Sequence, residues 1–272
     1  AITTGNYNVG MGKQALSGIT TGANNVGIGN EAGKAITTAS NNTAVGFAAL
    51  IANTTGTQNV ALGSYALDAN STGDKNTAIG HNALTANTTA DYNVAVGRGA
   101  MTTNTTGAGN TAVGTASMDG NSTGNYNTAV GYNSLLTNST AANNTAVGYN
   151  ALSLNTTTAD NTAVGRSALA NNVAAANTAV GKSALAETTT GTRNVAVGQN
   201  ALTTQTTSNN NTAVGYQAGE ATTTSSQVTA IGCYALTANT TGSNNDALGY
   251  AALYSNTIGQ YNVGIGAGAL EN

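Results

Sequence analysis

The sequence predicts an all-β fold, a parallel β-solenoid of the β-roll or β-helix kind, and three observations predict it. A five-residue frame such as Asn144-Thr145-Ala146-Val147-Gly148 recurs sixteen times, with its glycines running from Gly12, Gly29 and Gly46 to Gly266. Successive frame glycines lie 17 residues apart at every step but Gly165 to Gly181, which is 16. A short fixed period marks a solenoid or fibre, because one repeat cannot bury its apolar face alone and a stack of repeats can. Inside each frame, β-branched and aliphatic residues alternate with small or polar ones, as in a short strand. One unit therefore spans residues 1–272 as sixteen repeats, with no capping repeat.

The columns follow from taking the frame glycine as position zero. Four before it stands Asn in every copy except Val228; Asn42, Asn59, Asn76, Asn93, Asn110, Asn127, Asn144 and Asn161 are examples. Stacked at the strand spacing of ~4.8 Å, these side chains are expected to form a ladder between coils. Three before the glycine lies Thr or Val, with Asp246 the outlier; two before it, always Ala or Gly; one before it, always an aliphatic residue. Thr/Val and the aliphatic residue share one face of the strand. That face is expected to point inward, each coil burying one Val and one Leu. Asn, the small residue and the glycine share the other face.

A second apolar column lies four after the glycine and holds Leu or Met, as in Leu16, Met101 and Leu152, interrupted by Gly33 and Gly219. A polar loop follows, such as Asn53-Thr54-Thr55-Gly56, with the Gly/Asn/Thr content of turns. The single deletion falls in such a loop, at Asn171-Asn172-Val173-Ala174-Ala175, so it spares both apolar columns. Seventeen residues with this glycine and threonine content cannot hold the paired helices of a helical repeat. Two apolar columns per coil bury too little to order seventeen residues unaided, which favours lateral association. One column then lines each coil's own core and the other a shared axis.

Composition excludes several functions. Charged residues make up only 6%, and the net charge is -3, so there is no basic footprint for nucleic acid. No apolar run approaches the ~20 residues of a membrane span. The one cysteine, Cys233, cannot form an internal disulfide and reads as incidental. His81 is the only histidine and sits in a variable column, so no nucleophilic pair or catalytic site is expected. Asp68, Asp74, Asp91, Asp119 and Asp160 lie mostly in loops and form no repeated column, which argues against serial calcium sites. No cofactor is implied. The candidate contact surface is the column after the glycine, where Phe47, Tyr132, Tyr149, Tyr216 and Tyr250 fall beside Arg98, Arg166 and Lys182. Tyr7, Tyr92, Tyr126 and Tyr261 form a second stripe five before the glycine. Such rings either stack on sugars or surfaces, or pack against neighbouring coils.

The frames Asn93-Val94-Ala95-Val96-Gly97 and Asn76-Thr77-Ala78-Ile79-Gly80 resemble the Val-Ala-Ile-Gly repeats in the heads of trimeric autotransporter adhesins. Asn-Thr-Ala-Val-Gly-Tyr-Asn-Ala-Leu at 144–152, with loops like Asn239-Thr240-Thr241-Gly242, resembles repeats of phage-type tail-fibre proteins more closely. The resemblance covers the whole chain, although its period is longer than that of adhesin heads. It implies a left-handed β-roll in a homotrimer, extracellular, on a cell-surface filament or on a virion. The expected function is a structural and adhesive fibre segment, a rigid rod presenting multivalent weak contacts, for example to a host-surface glycan. The alternative is an ice-binding solenoid. Against it, the adjacent loop threonines such as Thr54-Thr55 point opposite ways if extended. The chain starts inside a loop and stops at Ala269-Leu270-Glu271-Asn272, so it reads as a piece whose columns continue into adjacent protein or into a second copy stacked as a filament.

Overall fold

The computed structural model describes residues 4–272. Sixteen strands of three residues each form a parallel sheet whose neighbours follow sequence order, and no helix occurs among the described residues. The contacts divide the chain into two compact units, Ala1–Ala141 and Ala142–Asn272. The first carries β1 (Val9–Met11) to β8 (Thr128–Val130), the second β9 (Thr145–Val147) to β16 (Val263–Ile265). Each frame is thus one strand and each 17-residue repeat one coil. Register is column on column: Val94, Ala95 and Val96 pair with Thr111, Ala112 and Val113. Across the 16-residue step, β10 (Thr162–Val164) and β11 (Thr178–Val180) keep the same register. The deletion is absorbed in the loop, where Asn172 Nδ2 donates to Ala174 O, two residues on. Its counterpart Asn70 reaches Gly73 O, three residues on.

The strand faces are the reverse of the expectation. Ala at position −2 is buried in the strands that carry it, and Ala61 and Ala95 are completely inaccessible. The flanking −3 and −1 residues point out: Val60 is 37% and Leu62 45% exposed. Val147, expected in the core, is only half-buried beside fully buried Ala146. The glycines of the −2 column give the reason. A Cβ added at Gly27 would come within 2.7 Å of Leu16 Cγ and 3.0 Å of Ala32 O, and one at Gly264 within 3.0 Å of Leu253 Cγ. The coil is so thin that its far wall leaves room for a methyl group and no more, so a valine cannot enter.

The far wall carries the apolar core. Leu50, Leu67, Leu84, Met101 and Leu152 are fully buried, each preceded by a buried Ala, and only in the last coil does the column surface, at the exposed Leu270. Two successive residues can both face inward because the backbone turns through the left-handed region just before and at the leucine. Asn82 and Leu84 have φ of 56° and 55°. That conformation costs a non-glycine residue about 1–2 kcal/mol, comparable with the ~1.5–3 kcal/mol that burying the leucine supplies. Gly33 and Gly219, the interruptions of this column, hold the same φ of 59° and 60°. A Cβ at Gly33 would meet Leu16 Cδ2 at 2.8 Å and Ile36 Cδ1 at 2.9 Å, so those neighbours fill the vacated space.

The frame glycine turns the chain out of the strand. Gly80 has φ +137°, and a Cβ there would lie 2.4 Å from Gly97 O in the next coil. Both the conformation and the stacking distance exclude any other residue.

Two asparagine ladders complete the interior. In the first, Asn59 N–H donates to Asn42 Oδ1 at 2.9 Å, and Asn76 N–H to Asn59 Oδ1 at 2.9 Å. The side-chain amide of Asn42 donates across the coil to Gly56 O at 2.9 Å. The second ladder sits seven after the glycine, in the stretch read from sequence only as a polar loop. Asn53 Nδ2 donates to the same Gly56 O at 2.8 Å, and Asn70 Nδ2 to Asn53 Oδ1 at 2.9 Å. Away from the end coils, the asparagines of both columns are buried. A buried amide must be paired or it costs about 1–3 kcal/mol, and the coil of Asn42 and Asn53 pairs both asparagines on one loop carbonyl.

Candidate functional site

With Asn and Ala turned inward, each unit offers a flat outer sheet face of two columns. The −3 column holds nine threonines, Thr43, Thr77, Thr111, Thr128, Thr145, Thr162, Thr178, Thr212 and Thr229, with valines in most other coils and the exposed Asp246. The −1 column is aliphatic throughout, and Ile28, Leu62, Val197, Val214, Ile231 and Leu248 are classed with the exposed large apolar side chains. Three residues at ~3.3 Å by eight strands at ~4.8 Å give roughly 370 Å² of flat surface in each unit. That area, of which the aliphatic column is the apolar part, lies within the range of the largest surface patches on monomeric proteins, which are often functional. Sequence carried a signal for this orientation: Asp246 stands in the −3 column, where a carboxylate is tolerable only at the surface.

Both tyrosine stripes border this face, one at each end of the strand. On the −5 corner, Tyr92 and Tyr126 are largely exposed. Lys75 lies over the Tyr92 ring, 4.8 Å from its centre, and its Nζ donates to the Tyr92 hydroxyl at 2.9 Å. The hydrogen bond to Tyr92 raises the Lys75 pKa above its ordinary 10.5.

On the other corner, Phe47, Tyr132, Tyr149, Tyr216 and Tyr250 are all exposed. The structure brings some of them together through partners not singled out from sequence. Phe47 meets Tyr65 edge to face at 5.2 Å, and Tyr65 meets His81 at 6.4 Å. In the second unit, Tyr216 meets Tyr234 at 5.3 Å, and Tyr234 meets Tyr250 at 6.1 Å and Tyr254 at 6.4 Å. Tyr65 and Tyr234 stand two after the glycine, so a ring in the first column of one coil packs on a ring in the second column of the next. A column-by-column reading separates these neighbours. Burial and the nearby Tyr216 raise the Tyr234 pKa above 10.0. Such pairs, worth ~0.5–1.5 kcal/mol beyond their area, fix the rings while leaving about half of each in water.

Where the first string ends at His81, the surface opens into a notch of about 240 Å³ lined by His81, Asn82, Arg98, Thr102, Thr115 and Asp119. The Thr102 hydroxyl donates to Asp119 Oδ1. Among the described residues no group of three His, Cys, Asp or Glu side chains comes together to hold a metal ion, and no helix is long and apolar enough to cross a membrane. Cys233 is a free, half-buried thiol on the surface between Tyr216 and Tyr250 in column order. Comparison with known protein families, curated proteins and solved structures found no match to this chain.

Proposed function

We propose that the chain is a non-enzymatic structural segment of an extracellular or virion fibre, in which the outer strand face packs against further copies of the same chain. The observation that supports this most directly is the unbroken aliphatic −1 column on the outside of the sheet. The occupant is argued from the period. A surface that repeats at every strand is matched along its length by a partner that repeats at the same spacing, and another copy does so. Of the two apolar columns, leucine then lines each coil, and the strand aliphatics, which were expected to point inward, line the shared axis. A homotrimer of left-handed coils, as in the fibre proteins that the frame resembles, is the arrangement we propose. The aromatic corners stay outside that interface and present weak contacts, to a glycan or another surface, which multivalency strengthens.

One observation favours a second reading. The threonines that matter for ice binding stand on the strands, not in the loops, and they form a flat Thr-x-Val array pointing outward. Loop geometry no longer counts against that role. The aliphatic −1 column does, because a uniformly apolar column suits burial against protein.

Sedimentation velocity separates the two. The fibre reading expects a discrete oligomer, split by Val96→Lys with Val113→Lys, while circular dichroism keeps its β signature. A monomer in the parent chain combined with thermal hysteresis would replace it with the ice-binding reading.

A further inference from the structure

The chain carries only seven Lys and Arg, ten Asp and Glu, and one histidine. One cation, one carboxylate and that histidine nonetheless meet in one notch of the first unit. The notch exists because two successive coils carry minimal side chains two after the frame glycine. Gly99 and Ala116 form its floor, while the same position holds Tyr65 and Asn82 on one side and Asn133 on the other. A Cβ at Gly99 would meet nothing closer than Thr102 Cγ2 at 3.7 Å, so the space above it is open.

We propose that this notch binds a sugar acid, a monosaccharide unit bearing a carboxylate, and so supplies one specific contact of the fibre; this rests on the surface-contact reading above. Arg98 is exposed, and no ion pair engages it among the described residues. A guanidinium presented in this way takes a carboxylate in a bidentate pair. Among the described residues Asp119 makes no ion pair with it; its Oδ1 accepts from the Thr102 hydroxyl. The remaining carboxylate oxygen, the Asn82 amide and the Thr115 hydroxyl offer acceptors and donors for sugar hydroxyls. His81, held edge-on by Tyr65, supplies a flat wall for the apolar side of a pyranose ring. The lining is polar and shallow, which suits a polyol and not an apolar ligand. A volume of about 240 Å³ holds one such residue.

The test uses isothermal titration calorimetry on the assembled protein. Its probes are methyl β-glucuronide and the methyl glycoside of N-acetylneuraminic acid as two sugar carboxylates, methyl β-glucoside as the neutral sugar, and acetate as the bare carboxylate. At ~0.3 kcal/mol per heavy atom the glucuronide binds at ~1 mM, and the larger neuraminic acid glycoside has a ceiling in the tens of micromolar, about 20 μM. The expected result is saturable binding of at least one sugar acid, at least tenfold tighter than the glucoside and than acetate. Arg98→Gln should weaken it at least tenfold. Gly99→Asn should abolish it by filling the notch, and that variant folds because Asn82 and Asn133 hold the same coil position at φ 56° and 53°. No binding of either sugar acid, equal binding of acetate or of the glucoside, or binding unchanged in Gly99→Asn each overturns the proposal. Sedimentation of the same samples reports self-association independently, so an empty notch on an intact oligomer refutes the site and not the fibre.

Discussion

The two units share one coil design and differ in how completely they carry out its polar interior. In the first, the column opens with the buried Ile19 and Ile36 and is then asparagine from Asn53 through Asn70, Asn87, Asn104 and Asn121 to Asn138, each amide from Asn70 on reaching the coil before it and the loop carbonyl of its own coil. In the second, the column reads Asn155, Asn172, Thr188, Gln205, Thr222, Asn239, Asn256. Thr188 and Thr222 are buried with hydroxyls that find no partner, because a threonine is one atom too short to reach either the neighbouring coil or the loop carbonyl. The first ladder is broken there too. Val228 N–H donates to Asn211 Oδ1, but its own side chain has no oxygen to offer Asn245 N–H. The lesson is that backbone stacking and the leucine column carry the coil through local defects, and that the amide ladders add stability coil by coil, as nearest-neighbour terms in a one-dimensional array.

The comparison is broken most severely by leaving the ladders aside and attacking what both units share. Leu84→Asp places an unpaired charge in the fully buried column and should unfold the surrounding coils, a loss above ~4 kcal/mol. Val96→Asp, on the outer face, should cost the coil itself less than ~1 kcal/mol while dissociating the oligomer. Urea unfolding followed by circular dichroism, beside sedimentation, reads both. Equal destabilisation by the two variants would return Val96 to the interior.

Copying the defect of the second unit into the first comes next. Asn93→Val removes the acceptor of Asn110 N–H and the donor to Gly107 O. Gly107 O keeps the Asn104 amide, so the loss of the acceptor for Asn110 N–H should cost about 1–3 kcal/mol in urea unfolding. A change within error would show that the ladder is ornamental.

Repairing the second unit should yield smaller gains. Val228→Asn gives Asn245 N–H an acceptor and should add about 1 kcal/mol, with hydrogen exchange at Asn245 slowing toward the rate at Asn110. Thr222→Asn replaces an orphan hydroxyl with an amide that can reach a loop carbonyl, and should raise the melting temperature by a few degrees at most. A fall in either case would mean that the local backbone has adapted to the shorter side chain.

By itself, the sequence determined the architecture. A glycine every 17 residues, an alternating strand before it and the deletion confined to a loop are local facts, and they suffice for a parallel solenoid with one repeat per coil. The columns were legible as columns, including Asn42 to Asn161 and the tyrosine stripes. Alternation, however, gives two faces without saying which is inside. Only the tertiary structure decided that, because the answer depends on the distance to the far wall of the coil. That distance admits the methyl of Ala95 and excludes a valine, so Val96 and its equivalents are turned out to the surface. The burial of Asn53 and its column, and the meeting of Phe47, Tyr65 and His81 or of Arg98 and Asp119, were likewise decided in three dimensions. They join residues of different coils and different columns, and a one-dimensional period holds no information about how far a side chain reaches across it.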